Sequence, residues 1–569
     1  MPEIASAIRD SSPPGLQRKV RVGLLLDSFD APAWVLTMLE RVLATGDAEI
    51  SLVVRNAAPA EPRPSFLRRL LRNWRHFLYI AYRKLDERFL RPKPNAFAKQ
   101  SLVTVLAGVP VLDVQPKRTK FSDYISDEDL AQIAKSDLDV LVRLGFRILR
   151  GKILQAARCG VWSFHHGDPD LYRGGPAGMW EVLNNQATTG SVLQILNEDL
   201  DGGLVLSRTQ STTDTMSVTR SLNNHYWKTL SFLPRQLTQL RRQGPEKFLQ
   251  AAQAAQPTVN MYSHRMYVAP RNSQMVRPLL RLIARMAHRR WIHIAYGNYW
   301  FLLARPSESL HGSLHRFQEI KPPRDRFWAD PNIVEHQGRA YVFCEEYLNA
   351  EQRGVISLFE IDAEGRWPER PTVVLNRPYH LSYPFVFEYQ GQRHMLVESS
   401  SEKRVEVYPC LEFPHRWGEP VTLMDNVRAV DATLFEQDGR WWMFANMVEN
   451  QGAKPWDELF LFHADSPLSK NWTPHPKNPI VSDVHTARPA GPLFSHEGRL
   501  IRPSQICDRG YGRGVSFNHV TKLSETEYEE QPIGQIVPDW ADDVRATHSF
   551  TRGGGWTVCD ANRIYRRFF

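Results

Sequence analysis

The feature that most constrains the fold is a repeat in the second half of the chain. Four segments each join a strand-like run to a returning run through a tight turn, and they contain ADPNIVEH, YPFVFEYQ, DATLFEQD and AGPLFSHE. Their turn glycines, spaced by roughly fifty residues as in one propeller blade per repeat, are Gly338, Gly391, Gly439 and Gly498. With the alternating segments on either side, the pattern predicts an all-β propeller of about five blades over residues 291–569.

The first half has a different pattern, in which buried strands alternate with helices. Apolar runs of strand length occur at Val20–Asp27, Glu49–Asn56, Asp137–Phe146 and Gly160–His166, and a segment with helical spacing ends on Gly46. Such alternation is typical of an α/β, Rossmann-like domain with a parallel sheet, which binds ligands at the carboxyl ends of its strands. No GxGxxG or Walker-type loop follows the first strand, so neither a dinucleotide nor a nucleoside triphosphate is expected in the usual manner. We assign residues 19–260 to this domain.

Charge and cysteine content narrow the range of expected partners and cellular compartments. The net charge of +9 favours an anionic partner, such as nucleic acid, an acidic membrane surface or a phosphorylated substrate. The five cysteines are scattered without a CxxC pair, which predicts a reducing compartment and no metal site. Residues 1–18 lack the apolar core of a signal peptide and are predicted to form a flexible tail. We expect a cytoplasmic protein, either free or peripheral to the inner face of a membrane.

Two basic amphipathic segments stand apart from these patterns. The first is a helix at residues 65–91, within an insertion at 62–92, and its apolar residues are Phe66, Leu67, Leu70, Leu71, Trp74, Phe77, Leu78, Ala81, Leu85 and Phe89. The second lies in a linker helix at residues 261–290. Each is suited to a membrane interface, or to packing on its own domain or a dimer partner. Neither resembles a nucleic-acid module, and the oligomeric state stays open.

A polar cluster follows the strand that begins at Gly160. The stretch WSFHHGDPDLYRGG places His165 at the end of the strand, where an imidazole can act as general acid or base. Asp201 follows another buried strand, in a Leu-Asp-Gly-Gly turn, and can orient that histidine. We expect the two to form a catalytic pair, although a structural role for Asp201 is the alternative. His166 is expected to face solvent.

These motifs resemble the catalytic domain of the formyltransferase superfamily over Lys19 to Leu240. Members transfer a formyl group from 10-formyltetrahydrofolate to an amine. The resemblance implies that His165 stabilises the negative oxygen of the transition state, while Asp201 orients it and draws off the amine proton. Further matches lie in the loop and the next strand, at Arg173, Gly174, Pro176, Thr189 and Gly190.

The resemblance also implies where substrates bind. The backbone of Leu144, Gly145 and Phe146 would line the folate pocket. Ser163 stands where the family has asparagine, and its shorter hydroxyl donates from a different point. The loop also carries residues that the family lacks or that line its substrate side, namely Asp168, Asp170 and Gly175. Asp168 and Asp170 have a plainer interpretation as turn formers.

The propeller has resemblances of its own. The segment FWADP is similar to the start of five-bladed propeller glycosidases such as arabinanases, which implies that Asp330 is a general base and Asp431 an accessory aspartate. Inverting hydrolysis also needs a protonated carboxyl, but the corresponding segment reads Arg-Pro-Ala-Gly from Arg488. The substitutes available are Glu345, Glu346 and Glu398. A binding role is the alternative, with Trp328 for stacking on sugars and arginines such as Arg488 for anionic ones.

The segments DATLFE and HPKNPIVSDVHTARPAG look like the amino-terminal region of plant glucosamine inositolphosphorylceramide transferases. Together, the two halves predict a formyltransferase-like enzyme that acts on an amino sugar in polysaccharide or glycolipid synthesis, with a propeller that binds or processes the glycan. Three alternatives stay open. They are a propeller that is itself the active glycosyltransferase or glycosidase, a methionyl-tRNA formyltransferase, and a non-catalytic carbohydrate-binding scaffold.

Overall fold

The computed structural model describes residues 16, 18–59, 73–257 and 261–567. It divides the chain into two compact units: Met1–Arg285 with Asn450–Ala453, and Met286–Glu449 with Lys454–Phe569. Most of the predicted tail at 1–18, and Phe66, Leu67, Leu70 and Leu71 of the predicted helix, lie outside the described residues. Within the described residues, no helix is both long and apolar enough to cross a membrane.

The first unit is built on a seven-stranded sheet with the order β7-β6-β5-β4-β1-β2-β3. Its strands are β1 (Val20–Leu26), β2 (Ala48–Asn56), β3 (Val111–Val114), β4 (Val140–Arg143), β5 (Val161–His165), β6 (Thr188–Ile195) and β7 (Leu204–Thr212). Leu24 and Leu25, adjacent on β1, belong to two different apolar clusters. Both faces of the sheet are therefore covered, which explains why the central strands are continuous apolar runs.

The predicted parallel pairing is confirmed for the four strands read from the sequence, and one edge of the sheet is antiparallel. Strands β1 to β5 pair in parallel, whereas β6 pairs antiparallel with both β5 and β7. The connection between β6 and β7, residues 196–203, is shorter than the dozen or so residues that a parallel crossover needs. Asp201 lies in this short connection, so the antiparallel edge itself places the predicted aspartate beside β5.

Helices cover the sheet and join its strands. The helices are α1 (Ala33–Ala44), α2 (Phe77–Phe89), α3 (Asp127–Ala134), α4 (Met179–Leu183), α5 (Val218–Thr229), α6 (Phe232–Gln243), α7 (Pro245–Ala254) and α8 (Asn272–Ala295). Shorter pieces of this unit are strands Asp30–Pro32, Lys99–Ser101, Lys117–Arg118, Ser122–Tyr124 and Ile148–Leu149, and the 3-10 helix Gly151–Gln155. Helix α1 buries Trp34, Val35, Met38 and Val42, whose spacing matches one helical face.

The second unit contains five antiparallel sheets among its described residues, in agreement with a five-bladed propeller. Four blades are continuous in sequence. Their strands are Arg326–His336, Arg339–Leu348, Arg353–Glu360 and Thr372–Leu375; Ser382–Tyr389, Gln392–Ser399, Arg404–Glu412, Arg416–Trp417 and Val421–Asp425; Ala429–Gln437, Arg440–Met447, Leu459–Ala464 and Thr473–Pro474; and Phe494–His496, Arg499–Ile506, Gly514–Leu523 and Tyr528–Ile536. Short 3-10 helices lie at Leu314–Arg316 and Ser400–Glu402.

The fifth blade joins the two ends of this unit. Strand Tyr296–Arg305 pairs antiparallel with the last strand, Trp556–Arg566. The blade is completed by Gln318–Ile320, Val544–Ala546 and Phe550–Gly553. Pairing the first strand with the last closes the ring, and each blade keeps only the short edge of its outermost strand.

The repeat glycines occupy the turns that the sequence predicts. Gly338, Gly391, Gly439 and Gly498 have φ between 73° and 76°, and each follows a residue that also has positive φ. Two successive residues with positive φ form the type I′ turn, whose twist matches that of a hairpin. Glycine adopts this backbone without a steric cost, and this accounts for its recurrence.

The predicted boundary between linker and propeller is displaced. Helix α8 runs to Ala295, past the predicted start of the propeller at residue 291, and Tyr296 opens the first strand. Residues 291–295, which the pattern assigned to the propeller, continue the helix.

Candidate active site

His165 is the last residue of β5 and lies beside Asp201, as the sequence predicts. The Nδ1 atom of His165 is 3.4 Å from Asp201 Oδ1, and its Nε2 atom is 3.1 Å from the carbonyl oxygen of Tyr172. Asp201 has φ of 54°, and its Oδ2 accepts a hydrogen bond of 2.9 Å from Gly174 N–H. Both ring nitrogens of His165 thus face oxygen acceptors. A substrate oxygen reaches Nε2 only by replacing the Tyr172 carbonyl.

The pair opens onto a cavity of about 380 Å³, which we call the β5 cavity. Its lining unites the predicted residues His165, Asp201, Ser163, Gly174 and Gly175 with residues that sequence reasoning missed. The remaining lining residues are Arg143, Ile148, Leu149, Arg150, Phe164, Gln194, Leu196, Asn197, Asp199 and Leu200. A volume of this size falls within the range of small-molecule pockets.

Three polar side chains form a row across the sheet in the β5 cavity. Arg143 on β4, Ser163 on β5 and Gln194 on β6 are direct cross-strand partners. Since alternate residues of a strand share a face, Ser163 and His165 lie on the same side of β5. Gln194 is buried, and its Oε1 has no hydrogen-bond partner among the described residues. The row therefore presents an unused acceptor to a ligand.

Arg143 supplies a partly buried cation to the same cavity. Its guanidinium donates to Ser163 Oγ at 3.1 Å and to the carbonyl oxygens of Arg147 and Phe146 at 3.1 and 3.2 Å. Burial lowers the pKa of Arg143, while the nearby carboxylates, Asp201 first among them, act in the opposite direction. Three of the five guanidinium N–H groups are used in this way, which leaves two for a ligand.

The segment predicted to line the folate pocket, residues 144–146, lies outside the β5 cavity. Phe146 packs in an apolar cluster of the core, and none of Leu144, Gly145 and Phe146 lines the β5 cavity. A Cβ on Gly145 would lie 2.5 Å from the backbone nitrogen of Asp27, so only glycine fits there. The wall at this point is formed by Ile148, Leu149 and Arg150, together with the Arg143 side chain.

The loop after β5 is held against the segment 262–267. Gly174 has φ of 95° and approaches Tyr267 so closely that a Cβ would lie 2.3 Å from its carbonyl oxygen. Arg173 stacks over the Tyr262 ring at 4.5 Å and donates to Pro169 O. Pro176 follows this contact in the chain. These contacts fix the loop side of the cavity.

Asp168 and Asp170 of the loop shape a turn, which was the alternative to a role in substrate binding. Asp168 Oδ1 accepts from Asp170 N–H at 2.9 Å, which closes a local turn, and Asp170 pairs with Arg208. Gly190 on β6 allows this turn to approach, because a Cβ there would lie 3.0 Å from Asp168. The neighbouring Thr189 bonds Thr213.

The expectation that His166 faces solvent is wrong. Its ring stacks on Tyr226 with centroids 3.6 Å apart and lies edge-on to Trp34. Burial lowers the pKa of His166 well below its usual value. The strand direction explains the difference: consecutive side chains point to opposite faces, so His165 faces the cavity and His166 enters the aromatic core.

The propeller has a second polar site, in which three blades repeat one backbone device. The inner strands each contain a β-bulge, and the residues at these bulges are Asp330, Tyr383 and Asp431, with φ between 46° and 52°. Positive φ in a non-glycine residue costs energy, and bulges of this kind re-aim side chains next to active sites. We call the groups gathered around these residues the propeller centre.

Asp330 belongs to an Asp-His-Asp network. His548 Nδ1 donates to Asp560, and its Nε2 lies 3.5 Å from Asp330 Oδ1, which also accepts from Ser549 at 2.8 Å. Burial raises the pKa of Asp330 to about 6, against the attraction of His548. Burial would also raise the pKa of Asp560, but its contacts with His548 lower it overall.

The three groups of this network also have ligand atoms within 4.8 Å of one another. Asp560, however, already accepts from the backbone N–H groups of Asp330, His548 and Ser549. Both nitrogens of His548 face carboxylates. The donor set is thus engaged in hydrogen bonding, which fits a proton relay better than a metal site.

Two further carboxyl groups of the propeller centre favour the protonated form. Burial, reinforced by the charge of Asp431, raises the pKa of Glu398 to about 8. Burial and the charge of Asp330 raise the pKa of Glu345 well above its usual value. Glu398 accepts from Asp431 N–H at 3.2 Å and from Ser400 at 3.0 Å. Either residue is a candidate for the protonated carboxyl that the Arg488 segment lacks.

Three residues predicted for the propeller site have internal roles instead: Trp328 and Arg488, assigned to sugar contact, and Glu346, a candidate general acid. Trp328 is fully buried and packs edge-on against Phe359, so it cannot stack on a sugar. Glu346 accepts from Arg326 at 2.9 Å and from Ser357 at 2.6 Å. Arg488 is buried in an ion pair with Asp431, which also accepts from Gln505 at 2.8 Å.

Sequence likeness falls on both halves of the chain. Residues 318–548 match the family model described as glucosamine inositolphosphorylceramide transferase 1, N-terminal. That range includes Asp330, Glu345, Glu398, Asp431 and His548. The transferase 1 of that name from Oryza sativa subsp. japonica is 34% identical over 251 residues, which cover 42% of this chain and 33% of the relative. The chain thus spans about a third of that relative's length.

A second group of relatives consists of formyltransferases. Methionyl-tRNA formyltransferase from Synechocystis sp. is 31% identical over 108 residues, which cover 19% of this chain and 31% of that protein. Among solved structures, a thermostable family-43 glycoside hydrolase aligns with a TM-score of 0.31 at 13% identity, covering 37% of this chain and 76% of that chain.

The sequence relatives show that the chain combines a formyltransferase-like amino-terminal region with a propeller similar to the amino-terminal part of a glycolipid transferase.

Proposed function

We propose that the first unit transfers a formyl group from 10-formyltetrahydrofolate to the amine of an amino sugar. The observation that carries this proposal is the pairing of His165 with Asp201 at the mouth of the β5 cavity. The formyltransferase relatives support the reaction class. The likeness of the propeller to part of a glucosamine inositolphosphorylceramide transferase supports a sugar acceptor, in glycolipid or polysaccharide synthesis. We place this reaction in the cytoplasm.

The lining of the β5 cavity supports the donor by its chemistry. Its apolar wall offers Ile148, Leu149 and Leu196 to a flat ring, and the unpartnered Gln194 Oε1 offers an acceptor to a ring N–H. When bound, 10-formyltetrahydrofolate supplies the formyl group that is transferred. Arg143 and Gln194 would hold its polar edge, in place of the backbone of residues 144–146.

The polar groups divide the chemistry among them. His165 leaves the Tyr172 carbonyl and donates Nε2–H to the formyl oxygen while the amine nitrogen bonds to the formyl carbon. Arg143 donates a free N–H to the same oxygen, which supplies the donor that Ser163 is too short to provide. Asp201 orients His165 and accepts the proton released by the amine. The bond from the formyl carbon to the donor nitrogen then breaks, and a proton returns to that nitrogen.

An acceptor panel tests the proposal. The protein is incubated with 10-formyltetrahydrofolate and a set of amino-sugar nucleotides, lipid-linked amino sugars and charged initiator tRNA, and mass spectrometry follows formyl addition. We expect formylation of an amino sugar and none with His165→Ala; His315→Ala, an exposed histidine of the second unit, is the control. Formylation of the tRNA alone would establish the methionyl-tRNA alternative. Failure to formylate any amine would refute the proposal.

The role of Arg143 has its own test. Arg143→Leu should lower kcat by about a hundredfold, because removal of one oxyanion donor costs that much. The double variant Arg143→Leu with Ser163→Asn, which introduces the asparagine of the resembling family, should recover part of the loss. Unchanged kcat in Arg143→Leu would remove this residue from the reaction, while the His165 result would stand.

A second candidate function belongs to the propeller. Asp330 is ionised near neutral pH while Glu398 holds a proton, and such a base and acid are what inverting hydrolysis requires. A glycan array with wild type and Asp330→Asn separates the possibilities. Release of sugar by wild type alone supports hydrolysis or transfer. Binding that survives the substitution, without release, supports a carbohydrate-binding scaffold.

A further inference from the structure

Helix α8 exposes most of its length. Only Met275 and Leu282 are buried, and both lie on the same side of the helix. Arg285 is also directed to this side and donates to the carbonyl oxygen of Thr215 at 3.1 Å. The helix therefore packs along one narrow edge. Packing on its own domain was one of the alternatives for this basic segment, and it leaves the other faces of the helix uncovered.

An apolar stripe lies on an uncovered face of α8. At 100° per residue, six residues fall within an arc of roughly 80° that is about 140° away from Leu282. These residues, which we call the α8 stripe, are Val276, Leu280, Ile283, Ala287, Trp291 and Ile294. Leu280 and Ile283 are each 62% exposed, and Trp291 is 61% exposed. The stripe extends over about 27 Å of helix, far more than a scattered exposed leucine.

Cations border the α8 stripe on both sides. Arg290 lies on one side, and Arg277, Arg281 and His288 lie on the other, by the same helical geometry. No Asp or Glu occurs between Asn272 and Ala295. The face thus offers an apolar strip framed entirely by positive charge.

The segment that contacts the start of α8 extends this character. Asn272 donates to the carbonyl oxygen of Trp74 and accepts from Leu78 N–H at the start of α2. There the side chains of Trp74 and Phe77 are exposed. Aromatic residues at such a position suit the headgroup level of a bilayer.

We propose that the α8 stripe docks on an anionic lipid bilayer. Acyl chains cover the apolar strip, and lipid phosphates pair with the bordering arginines. Charge complementarity selects this occupant, since a second copy of the helix would bring the three bordering arginines against three others with no carboxylate between them. The proposal is independent of formyl transfer.

Co-sedimentation with vesicles tests the proposal on the full chain. We expect binding to vesicles that contain phosphatidylglycerol and little binding to pure phosphatidylcholine, with salt weakening the former. The triple variant Leu280→Ser, Ile283→Ser, Trp291→Ser should bind at least tenfold more weakly. The matched control is Val373→Ser, Leu411→Ser, Ile533→Ser, which changes three exposed apolar residues of the propeller.

Three results would overturn the proposal. One is equal binding to the anionic and neutral vesicles, and another is an equal loss in the control variant. The third is a dimer in solution, seen by light scattering without lipid, that the α8 triple variant abolishes, because the stripe would then be an interface between copies. Formyl transfer to a soluble acceptor should be unchanged in the triple variant, so its loss there would indicate misfolding and call for the single variant Leu280→Ser.

Discussion

The β5 cavity and the propeller centre assemble polar groups in opposite ways. His165 and Asp201 lie in one connected region of a single sheet, joined by two adjacent strands. In the propeller centre, Asp330, Asp431 and His548 come from three blades far apart in the chain. A site of the first kind leaves a motif in the sequence, whereas a site of the second kind leaves single residues that only the closed ring brings together.

The two sites also differ in how they balance charge. His165 and Asp201 keep some contact with solvent, at 11% and 15% side-chain exposure. The propeller centre buries Asp330 and Asp431 almost completely and Glu398 in part, and burial raises the pKa of Asp330 and Glu398. Its charge is compensated by the Arg488 ion pair with Asp431 and by His548, which contacts Asp330 and Asp560. We therefore expect substitutions there to act first on stability, and substitutions in the β5 cavity to act first on rate.

The largest stability effect should come from Arg488→Met. Removal of one partner leaves Asp431 as an uncompensated buried charge, which costs about 3–5 kcal/mol. Chemical denaturation compares the free energy of unfolding of Arg488→Met with that of Arg55→Met. Arg55 is the control because it forms an exposed ion pair with Asp113 in the first unit. Arg55→Met should leave the free energy of unfolding nearly unchanged. Equal effects of the two would contradict the contrast in burial.

Glu398→Gln should stabilise the protein increasingly as pH rises. The pKa of Glu398 is raised to about 8 in the folded state, so the folded carboxyl keeps a proton that the unfolded one releases above its usual pKa near 4.5. Wild-type stability therefore falls between about pH 4.5 and pH 8, and the variant escapes this loss. We expect a relative gain of about 3–4 kcal/mol between pH 4 and pH 8, measured by denaturation at each pH. A gain that does not change with pH would contradict burial of the carboxyl.

Glu181→Gln shows whether the first unit shares this behaviour away from its cavity. Glu181 on α4 is buried, and burial raises its pKa to about 7. Wild-type stability should again fall as pH rises, here between about pH 4.5 and pH 7. The variant should therefore gain about 2–3 kcal/mol in free energy of unfolding relative to wild type over this range. A larger gain than that of Glu398→Gln would reverse the order proposed for the two units.

Much of the fold follows from local sequence. The type I′ turns at Gly338 and Gly391 are visible because both turn residues must tolerate positive φ. His165 and Asp201 are visible because each ends or follows an apolar strand. In contrast, nothing near Arg143 or Gln194 marks them, since their proximity to Ser163 depends on the register between strands. The antiparallel edge of the sheet was missed for the same reason.

The errors also have physical causes. Trp328 was assigned to sugar stacking and His166 to solvent, yet both fill aromatic cores whose other members are remote in sequence. Arg488 was expected at a rim because an arginine is seldom buried. It is buried because Asp431, on the bulge of another blade, offers a partner.

A single-turnover experiment tests whether His165 acts in the chemical step of formyl transfer. With enzyme in excess over 10-formyltetrahydrofolate and a saturating amino-sugar acceptor, the rate of formyl loss from the donor reports the chemical step alone. For His165→Ala, we expect a rate lower by about 10² to 10⁴, because a group that acts in the transition state is removed, and we expect donor binding to be retained in calorimetry. Equal rates in wild type and His165→Ala would contradict this expectation.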